Sequence, residues 1–320
     1  MRMTRWVGAG GRVVVLLAAG LVLGAPWGAA GQVGAPPRTT PAAPPVRPPR
    51  LNLKKKPPRV AVAPPAASLP DSPLVQKRLA EASSLEASFK DSEALAQLQE
   101  VLRENPRHYY ALWQAAVLSV RIGRRYSDET RQAAYFDAAR AYAERALYLQ
   151  PEGGESNYAL ALTLFSQATL YSARGRLTAF RDLRAHVVLA AERRPDWADA
   201  WALLGRWQFR VAHYSLVERL FSRFALGGVP AGASARAALA SLEKAHRLDS
   251  TRLQFCYDLA RAYHYQRQHK RAAALLRYAV RLTPVTSDDL ITLRRCQQLL
   301  VPVERKVARR AARRQSRPEG

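Results

Sequence analysis

WALLGRWQF, residues 201–209, places Trp201, Leu204, Gly205 and Gln208 on one helical stripe. Downstream of it, Ala238, Leu242, Ala245 and Ser250 have offsets of 4, 7 and 12. The same offsets recur four times with a closing proline. They run through Ala94, Leu98, Val101 and Pro106, and through Ala139, Ala143, Ala146 and Pro151. They return in Leu183, Val187, Ala190 and Pro195, and in Ala272, Leu276, Ala279 and Pro284. Offsets of 4 and 7 put three residues on one helix face, and a proline five residues later marks the next helix start. Each phrase is therefore the second helix of a pair.

The 201–208 spacing is that of W-x2-L-G-x2-Y, the first helix of a tetratricopeptide unit. Cys256, Leu259, Ala260 and Tyr263 repeat it, and Thr251 to Pro284 spans 34 residues, the tetratricopeptide period. Gly205 and Ala260, with Ala116 and Ala161 at matching positions, are small enough for paired helices to approach closely. Closing positions are spaced by 45, 44, 55 and 34 residues, so the three middle units carry insertions: RIGRRYSDETRQ, LYSARGRLTAF and the span around LVERLFSRFALGGVPAGAS. The expected fold is all-α, a tetratricopeptide-like helical repeat solenoid with insertions. It starts with one leading helix, continues through four helix pairs and ends in a capping helix near Asp288–Leu300.

Outside the array the chain changes character. Arg2, Arg5 and Arg12 precede the apolar run Val13–Leu23, and Gly28-Ala29-Ala30 offers small residues for a cut after Ala30. That order is a secretory signal over 1–30, with an uncleaved membrane anchor as the alternative. Residues 31–73 hold 13 prolines and read as a disordered, Pro-rich linker favouring polyproline II. The repeat domain is assigned to 74–302 and a basic tail to 303–320. The expected localisation is export, to the periplasm or cell surface if the source is bacterial, with membrane anchoring by the N-terminal hydrophobic segment as the alternative.

The 320 residues carry 50 Lys+Arg against 25 Asp+Glu, a net charge of +25, and 42 of the basic residues are Arg. The excess is uneven: +9 in 1–73, +11 in 74–302 and +5 in 303–320. More than half lies outside the repeats, which argues against specific nucleic-acid binding and for weak contact of both ends with an anionic membrane or polymer. Arg309, Arg310, Arg313 and Arg314 share one face of a tail helix.

The standard phosphate-loop, dinucleotide, zinc-protease and hydrolase signatures are absent from the sequence. No cofactor, metal or catalytic residue is expected, and the chain reads as a non-enzyme. His264 and His269 are five apart, off a common helix face. Cys256 falls at a helix-packing position, and a Cys256–Cys296 bridge is open if the capping helix folds back.

The 195–284 stretch resembles the regulator of microtubule dynamics family. The resemblance rests on the LGRW motif at Leu204-Gly205-Arg206-Trp207, the loop FALGGVP at 224–230 and the pair Lys244-Ala245. It extends from about 92 to 300. It implies an all-helical tetratricopeptide-like array that acts by binding other proteins, with tubulin among the partners of eukaryotic relatives. The export-like N-terminus points instead to a bacterial relative that shares the fold without the cytoskeletal role.

First helices of tetratricopeptide units line a concave groove. In this register the groove positions are Tyr110, Trp113, Arg121, Tyr158, Phe165, Arg206, Phe209, Arg210, Tyr257, Arg261, His264 and Tyr265. Aromatics and Arg dominate interface hot spots, and Arg forks suit carboxylates. They predict a scaffold for a protein or peptide partner, with an acidic one favoured. The competing readings are aromatics that merely pack between repeats, and a surface protein that binds polyanions through its basic ends.

Overall fold

A computed structural model of the chain describes residues 71–315. The expected signal segment and nearly all of the Pro-rich linker lie outside the described residues. Thirteen α-helices and no strand occur among those described.

The five phrases set the architecture. Their fifteen apolar residues are all essentially removed from solvent, at 2 % exposure or less. They lie on α2 (Asp91–Glu104), α4 (Glu129–Leu149), α7 (Arg184–Arg193) with its preceding Leu183, α10 (Ala235–Leu248) and α12 (His269–Ala279). Their partners are α3 (Tyr109–Arg125) for α4, α5 (Gly154–Gln167) for α7, α8 (Ala198–Ala212) for α10 and α11 (Leu253–Tyr265) for α12. The partner helices also touch in sequence, α3 on α5, α5 on α8 and α8 on α11, and form a continuous layer.

The leading helix is not single. The helix α1 (Pro73–Ala87) packs on α2 and makes a fifth pair. Ser72 caps α1 by accepting from the Val75 N–H, and Pro73 occupies its first turn. The side chains of Asp71 and Ser72 already bond into the array, to His108 at 3.1 Å and Glu104 at 2.6 Å.

The insertions take three forms. RIGRRYSDETRQ lengthens α3 and α4 rather than adding an element. LYSARGRLTAF builds α6 (Ala173–Asp182), tied down where buried Trp207 donates from Nε1 to the Phe180 carbonyl at 2.8 Å. The third builds α9 (Leu216–Ala225), started by a Ser215/Glu218 capping box. Gly227 and Gly228 follow at φ 75° and 116°, a backbone that L side chains resist. Phe221 of α9 packs inward, while Leu216, Leu220 and Phe224 face solvent.

Gly205 performs the close approach expected of it. A Cβ there would lie 2.6 Å from Cγ of Leu242 and 3.1 Å from its backbone nitrogen, so α8 and α10 meet where only glycine fits. Ala116, Ala161 and Ala260 are fully buried.

The final helix α13 (Ser287–Gln315) packs on α11 and α12. It runs well beyond Leu300 with Pro302 inside it, so the start of the basic tail is helix. Cys256 on α11 and Cys296 on α13 are both buried and both free, so the bridge left open by the sequence is not formed. Burial first, then the neighbouring thiol, pushes Cys256 up to about 12; burial pushes Cys296 up to about 11. Both are inert thiols near neutral pH. Among the described residues no helix is long and apolar enough to cross a membrane, and no His/Cys/Asp/Glu group could hold a metal ion.

Candidate protein-interaction groove

The helix layer α3, α5, α8, α11 carries all twelve residues singled out from the sequence. Packing divides them into three groups.

The first group is absorbed between repeats. Tyr158 is buried with its ring 4.3 Å from that of Trp197, and burial raises its hydroxyl pKa further. Trp113 sits edge-on to Trp197 at 5.8 Å and to Tyr110 at 5.4 Å. Phe165 packs on Phe180 at 5.5 Å, and Phe209 is buried beside His213 at 4.2 Å. Trp197, at the turn into α8, is the hub that joins two units, and the sequence register did not single it out. These aromatics fill the seams of the stack.

The second group is ion-paired within the chain. Arg121 reaches Asp91 at 3.0 Å and Glu86 at 3.3 Å, and Arg125 reaches the same Asp91 at 2.5 Å. Asp91 is 1 % exposed. Arg206, of the LGRW motif, bonds Asp258 at 2.6 Å. Gln254 donates to the same carboxylate at 3.0 Å, and Thr292 on α13 donates to Gln254 at 3.2 Å. Burial opposes the Arg206 charge, but Asp258 outweighs it and the guanidinium pKa is raised. Arg210 pairs with Glu218, whose carboxyl is held below its ordinary value by that hydrogen bond. The three LGRW residues Gly205, Arg206 and Trp207 thus hold helices together, and Lys244 of the Lys-Ala pair stacks 3.9 Å over the Trp201 ring.

The third group keeps its side chains available. Tyr110 is exposed at one end of the layer and Tyr265 at the other. Arg261 lies 4.5 Å over Phe209 and 5.9 Å over Tyr257 and makes no ion pair among the described residues. His264 completes this end. A cavity of about 660 Å³ opens there, lined by Tyr257, Arg261, His264 and Tyr265 together with residues of α12 and α13.

Arg124 is the residue the register missed. It donates to Ser166 Oγ at 2.8 Å and has no carboxylate partner among the described residues. Its side chain is exposed, and the protein crowded around it, then Arg206, brings its guanidinium pKa down to about 10. Asp258 on α11 and Asp288 at the start of α13 lie within its electrostatic reach. Arg124 stands on α3, the first helix of that layer. Its position three residues after Arg121, on the same helix face, was the available signal.

The sequence profile of the regulator of microtubule dynamics protein 1-3 family matches residues 78–304, nearly the whole described array. The chain belongs to that family. Solved structures place this family member among tetratricopeptide folds. It is similar to TTC0263, a thermophilic TPR protein of Thermus thermophilus, at 18 % identity and TM-score 0.51, over 71 % of this chain and 99 % of that one. It is also similar to MamA (41-end) from Desulfovibrio magneticus RS-1 at 15 % identity and TM-score 0.40, over 66 % and 96 %. At these identities the first likeness speaks for the fold alone. No curated protein matches the sequence. Tetratricopeptide-like arrays of this family are typically scaffolds that bind protein partners.

Proposed function

We propose that this protein is a non-enzymatic scaffold that holds an extended or helical segment of a partner in the concave face of its helix layer. The observation that supports this reading most is Arg124: an exposed cation on the helix layer that donates to Ser166 Oγ and has no carboxylate partner among the described residues. Unpaired arginines beside exposed aromatics are what interface hot spots are made of. Tyr110 and Arg124 at one end, and Tyr257, Arg261 and Tyr265 at the other, are the contact residues of this reading. An acidic segment suits the two arginines. Arg121, Arg206 and Arg210 are left out because their charges are already matched.

In the same reading the N-terminal 30 residues export the chain and residues 31–73 tether the array at a membrane or wall. The test is crosslinking capture from the native host with the full chain and with Arg124→Glu/Arg261→Glu. One protein recovered by the first and lost with the second supports the groove. Equal recovery by both sinks it. Arg206→Glu is unsuitable as a probe, since it would set two carboxylates against each other in the core.

A further inference from the structure

The cavity at the α11–α13 end has a wall chemistry that the groove reading does not require. Four fixed cations line it: Arg261 on α11, Arg267 in the α11–α12 turn, and Lys306 and Arg310 on α13. No carboxylate lines it, and none of the four is ion-paired among the described residues. The nearby carboxylates are used elsewhere, Glu304 on Arg277, Glu243 on Tyr263 and Asp258 on Arg206. Arg121 and Arg125 are matched by buried Asp91 and Arg206 by buried Asp258; this cluster is left open.

Among the described residues, several polar atoms of the pocket also lack partners. Nε of Arg261, Nδ1 of His264 and Nδ1 of His269 are buried without a hydrogen bond. His269 is itself only 6 % exposed. Lys306 Nζ lies 3.4 Å from Nε2 of His264. An ammonium can only donate, so Nε2 accepts and the ring proton sits on Nδ1, a donor with nothing to donate to. Arg310 is fixed by donating to the Arg267 carbonyl at 2.9 Å. Arg267 itself is held at φ 60°, a left-handed conformation rare for a residue with a side chain. Glycine would serve that turn at no steric expense, and an arginine stands there instead.

We propose that this pocket binds a small soluble anion bearing a phosphoryl group with two or more negative charges, seated among Arg261, Arg267, Lys306 and Arg310 with His264 and His269 donating from Nδ1. A single carboxylate would neutralise one of four charges and meet few of the donors. A phosphoryl group accepts from several directions at once, which matches donors converging from α11, α12, their turn and α13. The cavity volume is that of a small-molecule site rather than of a long peptide track. Arg261 is shared with the proposed groove, so Lys306 and Arg310, which only the anion site uses, are the residues that tell the two apart.

The test is calorimetric titration of the full chain with inorganic pyrophosphate. One site per chain is expected, weakened at least about tenfold by Lys306→Gln/Arg310→Gln, the equivalent of about 1.4 kcal/mol. Arg305→Gln/Arg309→Gln removes the same charge from exposed positions of the same helix that do not line the pocket, and should leave affinity within about twofold. Unchanged helicity in both variants keeps the comparison fair. Equal loss in both would mean diffuse attraction and would overturn the proposal, as would no binding. Tighter binding of an oligoglutamate peptide than of pyrophosphate would overturn it in favour of an acidic peptide. A parallel arm with phosphatidylcholine vesicles carrying phosphatidate assigns the source: binding to vesicles but not to pyrophosphate would place the phosphoryl group on a lipid and overturn the soluble anion. Capture of a protein partner through Arg124 is unaffected by any of these outcomes.

Discussion

The two ends of the array are built alike and charged differently. At the N-terminal end α1 turns into α2 through Phe89 at φ 59°; at the C-terminal end α11 turns into α12 through Arg267 at φ 60°. Both turns close the same way. The Lys90 N–H donates to the Leu85 carbonyl and the Gln268 N–H to the Tyr263 carbonyl, each at 2.9 Å, a Schellman pattern with a non-glycine residue in the left-handed position. The helix-layer arginines next to these turns diverge. Arg121 and Arg125 converge on Asp91, while Arg261 faces Lys306 and Arg310 with no acid between them. One end uses its cations as structure and the other holds them unmatched. The same residue type in the same helix layer therefore predicts opposite responses to mutation.

The largest effect is expected at Asp91. Asp91→Ala leaves Arg125 without a carboxylate and Arg121 with Glu86 alone, and breaking a buried pair costs about 3–5 kcal/mol. Arg121 and Arg125 are each more than a third exposed or close to it, so solvent screening brings the expected loss to about 2–3 kcal/mol by chemical denaturation. A change below about 0.5 kcal/mol would mean the ends do not differ as described. The turns come next. Phe89→Gly and Arg267→Gly should each stabilise by about 0.5–1 kcal/mol through relief of the left-handed backbone. Only Arg267→Gly should also weaken pyrophosphate binding, and equal effects of both on binding would erase the distinction.

Acid should discriminate more finely. Burial, then Lys306, lowers the His264 pKa below the ordinary 6.5; burial, then Arg310 and His264, lowers that of His269. The charged groups facing them are Arg267 from the turn and Lys306 and Arg310 from α13. With folded values below unfolded ones, the unfolded chain binds more protons, so stability is full above about 6.5 and falls as pH drops through that value towards the folded ones. His186 and His246, lowered mainly by burial, act in the same sense. The diagnostic part of the melting-temperature decline is the part that Lys306→Gln/Arg310→Gln removes. The smallest effect is on stability at neutral pH. That double variant should change it by less than about 0.5 kcal/mol, since these exposed cations have no ion-pair partner to lose among the described residues.

Fold and site were unequally legible in the sequence. Core phrases repeat because each unit must bury the same stripe, and periodicity reads that directly. The helix α1 escaped because it buries only Val75 and Ala82 and has no phrase of its own; its one clear signal was Ser72-Pro73. The groove positions fell on the expected helices, yet which of them stayed free depended on acids far away in sequence. Asp91 answers Arg121 from 30 residues away, and Asp258 answers Arg206 from 52. A register places a side chain on a face; it does not say whether a counter-charge waits opposite. The tail shows the same limit. Its basic face was read at Arg309, Arg310, Arg313 and Arg314, and among the described side chains of α13 it is Lys306 and Arg310 that line the cavity.

Pro302 gives the C-terminal end a mechanical character. A proline within a helix removes one backbone bond and obstructs the carbonyl four residues earlier, so α13 is two rods joined by a weakened splice. Lys306 and Arg310 ride on the second rod. Their alignment depends on what clamps that rod to the array: Val303, wholly buried, and Val307, packed on the same cluster as Cys296. Trimming Val303 to alanine would leave every cation in place chemically and still detune the cavity, as a loosened bearing shifts a shaft.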